Sequence, residues 1–173
     1  SFQGPAGGGA EAADVACAQA AVEAASQVLE RLCADENFGF RSWNELLAWC
    51  QSVAGSESAF AMDHRGLVIA DAGTLTEEAV EDTGTRLILA FDQANKMAIA
   101  EQRAQVLSIQ LGMRWLTGVR IGTEGEAAFT LGLLGDQPLG ETERRTIEDV
   151  IGVVAERFYS FSPVGGPPSA SSE

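Results

Sequence analysis

The sequence predicts an α+β domain: a five-stranded antiparallel sheet with helices on its faces, preceded by an extra Ala-rich helix. Three observations point there. Two short apolar runs around a tight turn, followed later by three stretches of alternating apolar residues, supply five strands. Three amphipathic stretches fall before, between and after these groups, which gives the order α-β-β-α-β-β-β-α. Turn signals join the strands directly, at Asp63-His64-Arg65-Gly66, at Gly112 and at Gly122–Glu126.

Residues 1–9 are rich in Gly, Pro and Ala and are expected to be a flexible tail. Residues 10–34 contain no Gly or Pro and many Ala, which favours helix. In this stretch Val15, Val22 and Leu29 recur every seven residues, with Ala18, Ala25 and Leu32 three positions later. That narrow seam suits docking onto the domain or onto a partner chain, or a weak coiled coil. Asp35–Arg41 reads as a linker.

The domain is expected over residues 42–159. Ser42-Trp43-Asn44-Glu45 has the spacing of a capping box, and Trp43, Leu46, Leu47, Cys50 and Val53 follow at helical spacing up to Gly55. Ala59–Met62 and Leu67–Ala70 flank Asp63-His64-Arg65-Gly66, a tight hairpin. Thr74-Leu75-Thr76-Glu77 reads as a second capping box, opening a long helix from about 75 to 101. Val80, Gly84, Leu87, Phe91, Ala94 and Ala98 form one stripe on it, while Ala79, Ile88, Ala90, Met97 and Ile99 spread onto other faces. One apolar stripe suffices to cover a sheet. The extra width predicts a second partner for this helix: the same helix of another subunit, or the N-terminal helix of the same chain.

Alternation over 106–111, 113–121 and 128–134 predicts three strands, with turns at Gly112 and Gly122–Glu126. After Pro138-Leu139-Gly140, a last helix carries Ile147, Val150, Ile151, Val154 and Phe158 on one face. Residues 162–173 are rich in Ser, Pro and Gly and are expected to be disordered.

Composition narrows the function. The net charge is −14, with no basic footprint, so a nucleic-acid partner is not expected. No apolar run reaches the ~20 residues of a membrane helix. No signal peptide is expected, because the start is polar and Gly-rich with no basic n-region or apolar h-region, and no disulfide framework, since Cys17, Cys33 and Cys50 are odd in number and widely spaced. The default location is therefore the cytoplasm. Phe2-Gln3-Gly4-Pro5 resembles the remnant of a cleaved linker, which leaves room for a native segment ahead of it.

Chemistry-bearing residues are sparse. His64, the only histidine, falls in the hairpin turn between Asp63 and Arg65 and reads as an exposed turn residue. Asp63, Asp71, Glu77 and Glu78 cluster in sequence, which suits capping and solvation, with a divalent cation as the sharper alternative. Gly118-x-x-x-Gly122 lacks the Gly-Lys-Ser/Thr ending of a phosphate loop, so the chain is not expected to be a GTPase itself. Arg65 is a surface arginine or, more sharply, a group offered to a nucleotide-binding partner. No catalytic residues, metal ligands or cofactor sites are assigned.

The element order, with the hairpin strand Gly66-Leu67-Val68-Ile69-Ala70 and the break at Gly73 before the long helix, resembles the roadblock family. That family comprises roadblock-type dynein light chains and prokaryotic regulators of Ras-like GTPases. The similarity covers about Ser42 to Phe158 and is most specific from Phe60-Ala61-Met62-Asp63 through Gly73. The resemblance implies a non-catalytic module, a homodimer or a pair with a second roadblock-like chain, that regulates or scaffolds a small Ras-like GTPase. It implies long helices packed together and the following strand paired across the two-fold. The interface candidates are then Leu87, Ala90, Phe91, Ala94, Leu107 and Ile109. Two other readings stay open: a structural subunit docking through the N-terminal helix, and a ligand-sensing domain of PAS/GAF type with a cavity between helix and sheet.

Overall fold

A computed structural model of the chain describes residues 15–16, 19–20, 23, 26–27, 30, 40–97, 102–122 and 128–161, with side chains up to residue 154. The elements are α1 (Trp43–Ala54), β1 (Ser58–Asp63), β2 (Val68–Gly73), α2 (Glu77–Asn95), β3 (Val106–Leu111), β4 (Arg114–Ile121), β5 (Phe129–Gly135) and α3 (Glu141–Phe161). The five strands form one sheet in the order β2-β1-β5-β4-β3, every neighbour antiparallel. The predicted fold class is therefore present. The described residues of the N-terminal stretch (Val15, Ala16, Gln19, Ala20, Glu23, Ser26, Gln27 and Glu30) are helical and exposed. The rest of its apolar seam and both predicted tails lie outside the described residues.

Period-two alternation sorts the sheet into two faces. Ala59, Ala61, Val119, Ile121, Phe129, Leu131 and Leu133 meet Leu46, Leu47 and Cys50 of α1 and Ile147, Val150, Ile151 and Val154 of α3. Phe60, Met62, Leu116 and Leu134 point the other way, onto Val80, Leu87 and Phe91 of α2. Each large side chain buried in these clusters contributes roughly 1.5–3 kcal/mol. The central strand β5 is buried along its whole length, on both faces. Its run Phe-Thr-Leu-Gly-Leu-Leu-Gly therefore serves two cores.

Local chemistry sets the helix starts. The Ser42 hydroxyl accepts from the N–H of Glu45 at 3.2 Å, as the first capping box predicts. Its reciprocal bond reaches one residue further back, with the Arg41 N–H donating to the Glu45 carboxylate at 2.8 Å. The second capping box is corrected: the N-cap of α2 is Thr76, whose hydroxyl accepts from the N–H of Ala79. Thr74 is held by β1 instead, donating its N–H to the Ser58 hydroxyl at 3.0 Å. A tertiary acceptor thus outcompetes the local one.

The long helix is also shorter than its pattern. α2 ends at Asn95, although apolar residues continue through Met97 and Ile99 and no Gly or Pro stops it. Asn95 explains the exit, because its side-chain oxygen accepts from the N–H of Ala104 at 2.7 Å and pins the chain as it returns toward β3. Small residues let α2 lie close to the sheet. A Cβ on Gly118 would fall 2.7 Å from a Leu87 methyl and 2.9 Å from the Phe91 ring.

Candidate interaction surface

The two edges of the sheet differ in kind. β2 carries Asp71 and ends at Gly73, and α1 lies against it. β3 reads Val-Leu-Ser-Ile-Gln-Leu and pairs only with β4, so its outer backbone N–H and C=O groups have no strand partner among the described residues. Edge strands are normally blunted by a charge, a Pro or a bulge. β3 has none of these, and its six-residue register with β4 is regular from Val106 to Leu111.

Exposed apolar side chains occur at the end of this strand and on α2. Leu111 ends β3 at 53% exposure, and Met113 stands in the β3–β4 turn at 90%. Leu89 on α2 and Met97 just past it are 56% and 62% exposed. Pairing with β4 places Leu107 opposite Gly118 and Ile109 opposite Leu116, which puts both on the α2 side of the sheet. Leu107 packs against the cluster that contains Leu87 and Phe91.

The six candidates divide accordingly. Leu87 and Phe91 are wholly buried, spent on the chain's own sheet. Ala90, Ala94, Leu107 and Ile109 are half-buried, with surface to offer a partner. Leu89, Leu111 and Met113 were not reached by sequence reasoning. Leu89 lay between stripes, and exposure at the end of an alternating strand has no local signal.

A second feature lies at the end of the sheet where β1 turns into β2. Asp63, His64, Arg65, Ile88, Asp92, Arg103, Gln105, Arg120, Gly122, Ala128, Phe129 and Thr130 line an open cleft of about 460 Å³. The hairpin is built on Asp63, whose carboxylate accepts from the N–H groups of Arg65 at 2.8 Å and Leu67 at 2.9 Å and pairs with the Arg65 guanidinium at 3.1 Å. Burial pushes the Asp63 carboxyl up, but those hydrogen bonds and the Arg65 charge outweigh it and hold the group below its usual 3.8. Gly66 at φ 87° closes the turn.

His64 is exposed in this turn, as predicted. Asp63, Asp71, Glu77 and Glu78 do not converge, and no group of three or more possible ligands gathers among the described residues. Cys50 is buried on α1, and burial pushes its thiol up to about 12, so it packs as a small apolar side chain. No described helix is long and apolar enough to cross a membrane.

No protein-family model matches the chain, and no curated protein matches it. Solved structures do. MglB of Myxococcus xanthus superposes with a TM-score of 0.55 at 16% identity, over 68% of this chain and 95% of that one. Gliding protein MglB of Thermus thermophilus gives 0.55 at 20% identity, over 65% of this chain and 87% of its own. A roadblock/LC7 domain from Streptomyces avermitilis gives 0.52 at 11% identity, over 69% and 97%. At these identities the likeness is one of fold, and in fold this chain is a roadblock-type domain.

Proposed function

We propose that this chain is a non-catalytic cytoplasmic module that pairs with a second copy of itself, or with another roadblock-like chain, and in that form regulates or scaffolds a small Ras-like GTPase. The observation that carries the pairing is the open, uncharged edge of β3, with exposed Leu111 and Met113 on the strand and its turn and Leu89 on α2. Joining two β3 strands antiparallel would satisfy both edges and extend the sheet across a two-fold axis. Ala90 and Ala94 are small enough to let two α2 helices approach closely.

The GTPase as partner rests on the roadblock-type fold and on the family that the hairpin and long helix resemble. The action is positional: a rigid paired surface prefers one arrangement of the GTPase's mobile loops and shifts its population. Such a preference is measurable. Ras-like GTPases from the same genome, loaded with GDP or a GTP analogue, are captured on the immobilised full chain. Binding that favours one nucleotide state supports regulation; equal binding in both states supports a scaffold alone; no binding to any of them overturns the GTPase as partner.

A further inference from the structure

The chain carries 25 acidic residues against 11 basic ones, yet among the described residues three arginines and two aspartates line the cleft beside the hairpin. Elsewhere, Arg86, Arg114, Arg144 and Arg145 each pair with a carboxylate. Within the cleft, Arg65 is committed to Asp63. Arg120 differs. It is half-buried, its guanidinium carbon stands 4.8 Å from the centre of the Phe91 ring, and among the described residues no carboxylate pairs with it.

A guanidinium seated on an aromatic ring gains from the ring's negative face but keeps its in-plane N–H donors for another acceptor. Its backbone is fixed as well: the Arg120 N–H donates to the Gln105 carbonyl at 2.8 Å, extending the β3–β4 ladder into the cleft wall. Thr130, opposite Arg120 in the β4–β5 register, adds a hydroxyl, and Gln105 adds an amide. The planar fork of an arginine matches the oxygens of a tetrahedral oxyanion. The cleft volume of about 460 Å³ falls in the range of small-molecule sites and exceeds what a bare ion needs. Asp92 on α2 also lines the cleft, as an acceptor for hydroxyl groups.

We propose that this cleft binds a small phosphorylated ligand, its phosphate held by Arg120 and its hydroxyl-bearing remainder directed to Asp92. The site is independent of the GTPase reading, and its test needs no GTPase. Calorimetric titration of the full chain at constant ionic strength, with inorganic phosphate in one arm and glycerol phosphate in the other, reads it directly. Both probes are expected to bind saturably, glycerol phosphate more tightly. Arg120→Met is expected to weaken binding about tenfold or more, and Arg86→Gln, outside the cleft, to leave it unchanged. Asp92→Asn, on the exposed side of α2, removes a repelling charge without touching the core and is expected to tighten the binding of inorganic phosphate. Absence of saturable binding by the wild type, equal affinity in Arg120→Met, or unchanged or weaker binding of inorganic phosphate in Asp92→Asn would each overturn the proposal.

Discussion

Gly118 occupies a point on β4 where any side chain would strike α2. With Leu87 2.7 Å and Phe91 2.9 Å from its virtual Cβ, Gly118→Val forces the helix off the sheet or both side chains out of their rotamers. The expected cost is about 2–3 kcal/mol, read as a lower urea midpoint with an unchanged slope. Asp63 makes a different kind of contribution. Its folded carboxyl sits below the usual 3.8, so its stabilisation is complete above that value and disappears as pH falls through the folded pKa. Asp63→Asn is expected to cost about 1 kcal/mol at neutral pH. The gap between variant and wild type should close as the solution is acidified below 3.8, and urea midpoints of both proteins across that range check it. A gap that stayed constant would mean that the hairpin does not depend on the aspartate's charge.

At the scale of elements, the sequence signals that survived folding were those written in several residues at once. The β1–β2 hairpin was legible because Asp63 and Gly66 carry its turn chemistry together, and α1 because Ser42, Glu45 and Gly55 mark both of its ends. The signals that failed depended on one distant contact. Thr74 has the residue type and spacing of a cap, but Ser58 reaches it first. The apolar pattern of α2 runs past Asn95, but the amide that ends the helix is paired with Ala104, nine residues on. The candidate surface was half legible for the same reason. The excess apolar width of α2 is visible in the chain, whereas the division between Leu87 and Phe91 facing inward and Leu89 facing outward exists only once the sheet is in place. Arg120 carried one faint signal, a charge between the apolar neighbours Val119 and Ile121. The exit of α2 gives a test at this scale. Asn95→Ala leaves the Ala104 N–H without its acceptor and is expected to cost about 1–2 kcal/mol. Faster amide exchange confined to residues 104–107 would show that the loss lies at the start of β3.

At the scale of the whole molecule, the sheet is finished on one side and unfinished on the other. α1 guards the β2 edge, while β3 ends the sheet with an uncharged strand and exposed Leu111 and Met113. Long apolar edges of this kind aggregate unless something occupies them. A second copy is the simplest occupant, and it would make the roadblock-type fold a unit of two chains. Ile109→Asp places a charge on that edge strand opposite Leu116 without altering the β1–β5 core. It should separate the chains while each keeps its fold, visible as an unchanged far-ultraviolet circular dichroism spectrum. Sedimentation equilibrium of the full chain, side by side with Ile109→Asp, tests the pairing most directly. The wild type is expected at twice 18.2 kDa and the variant at 18.2 kDa. A wild-type mass of 18.2 kDa at concentrations well above micromolar, or a variant that stays paired, would contradict it.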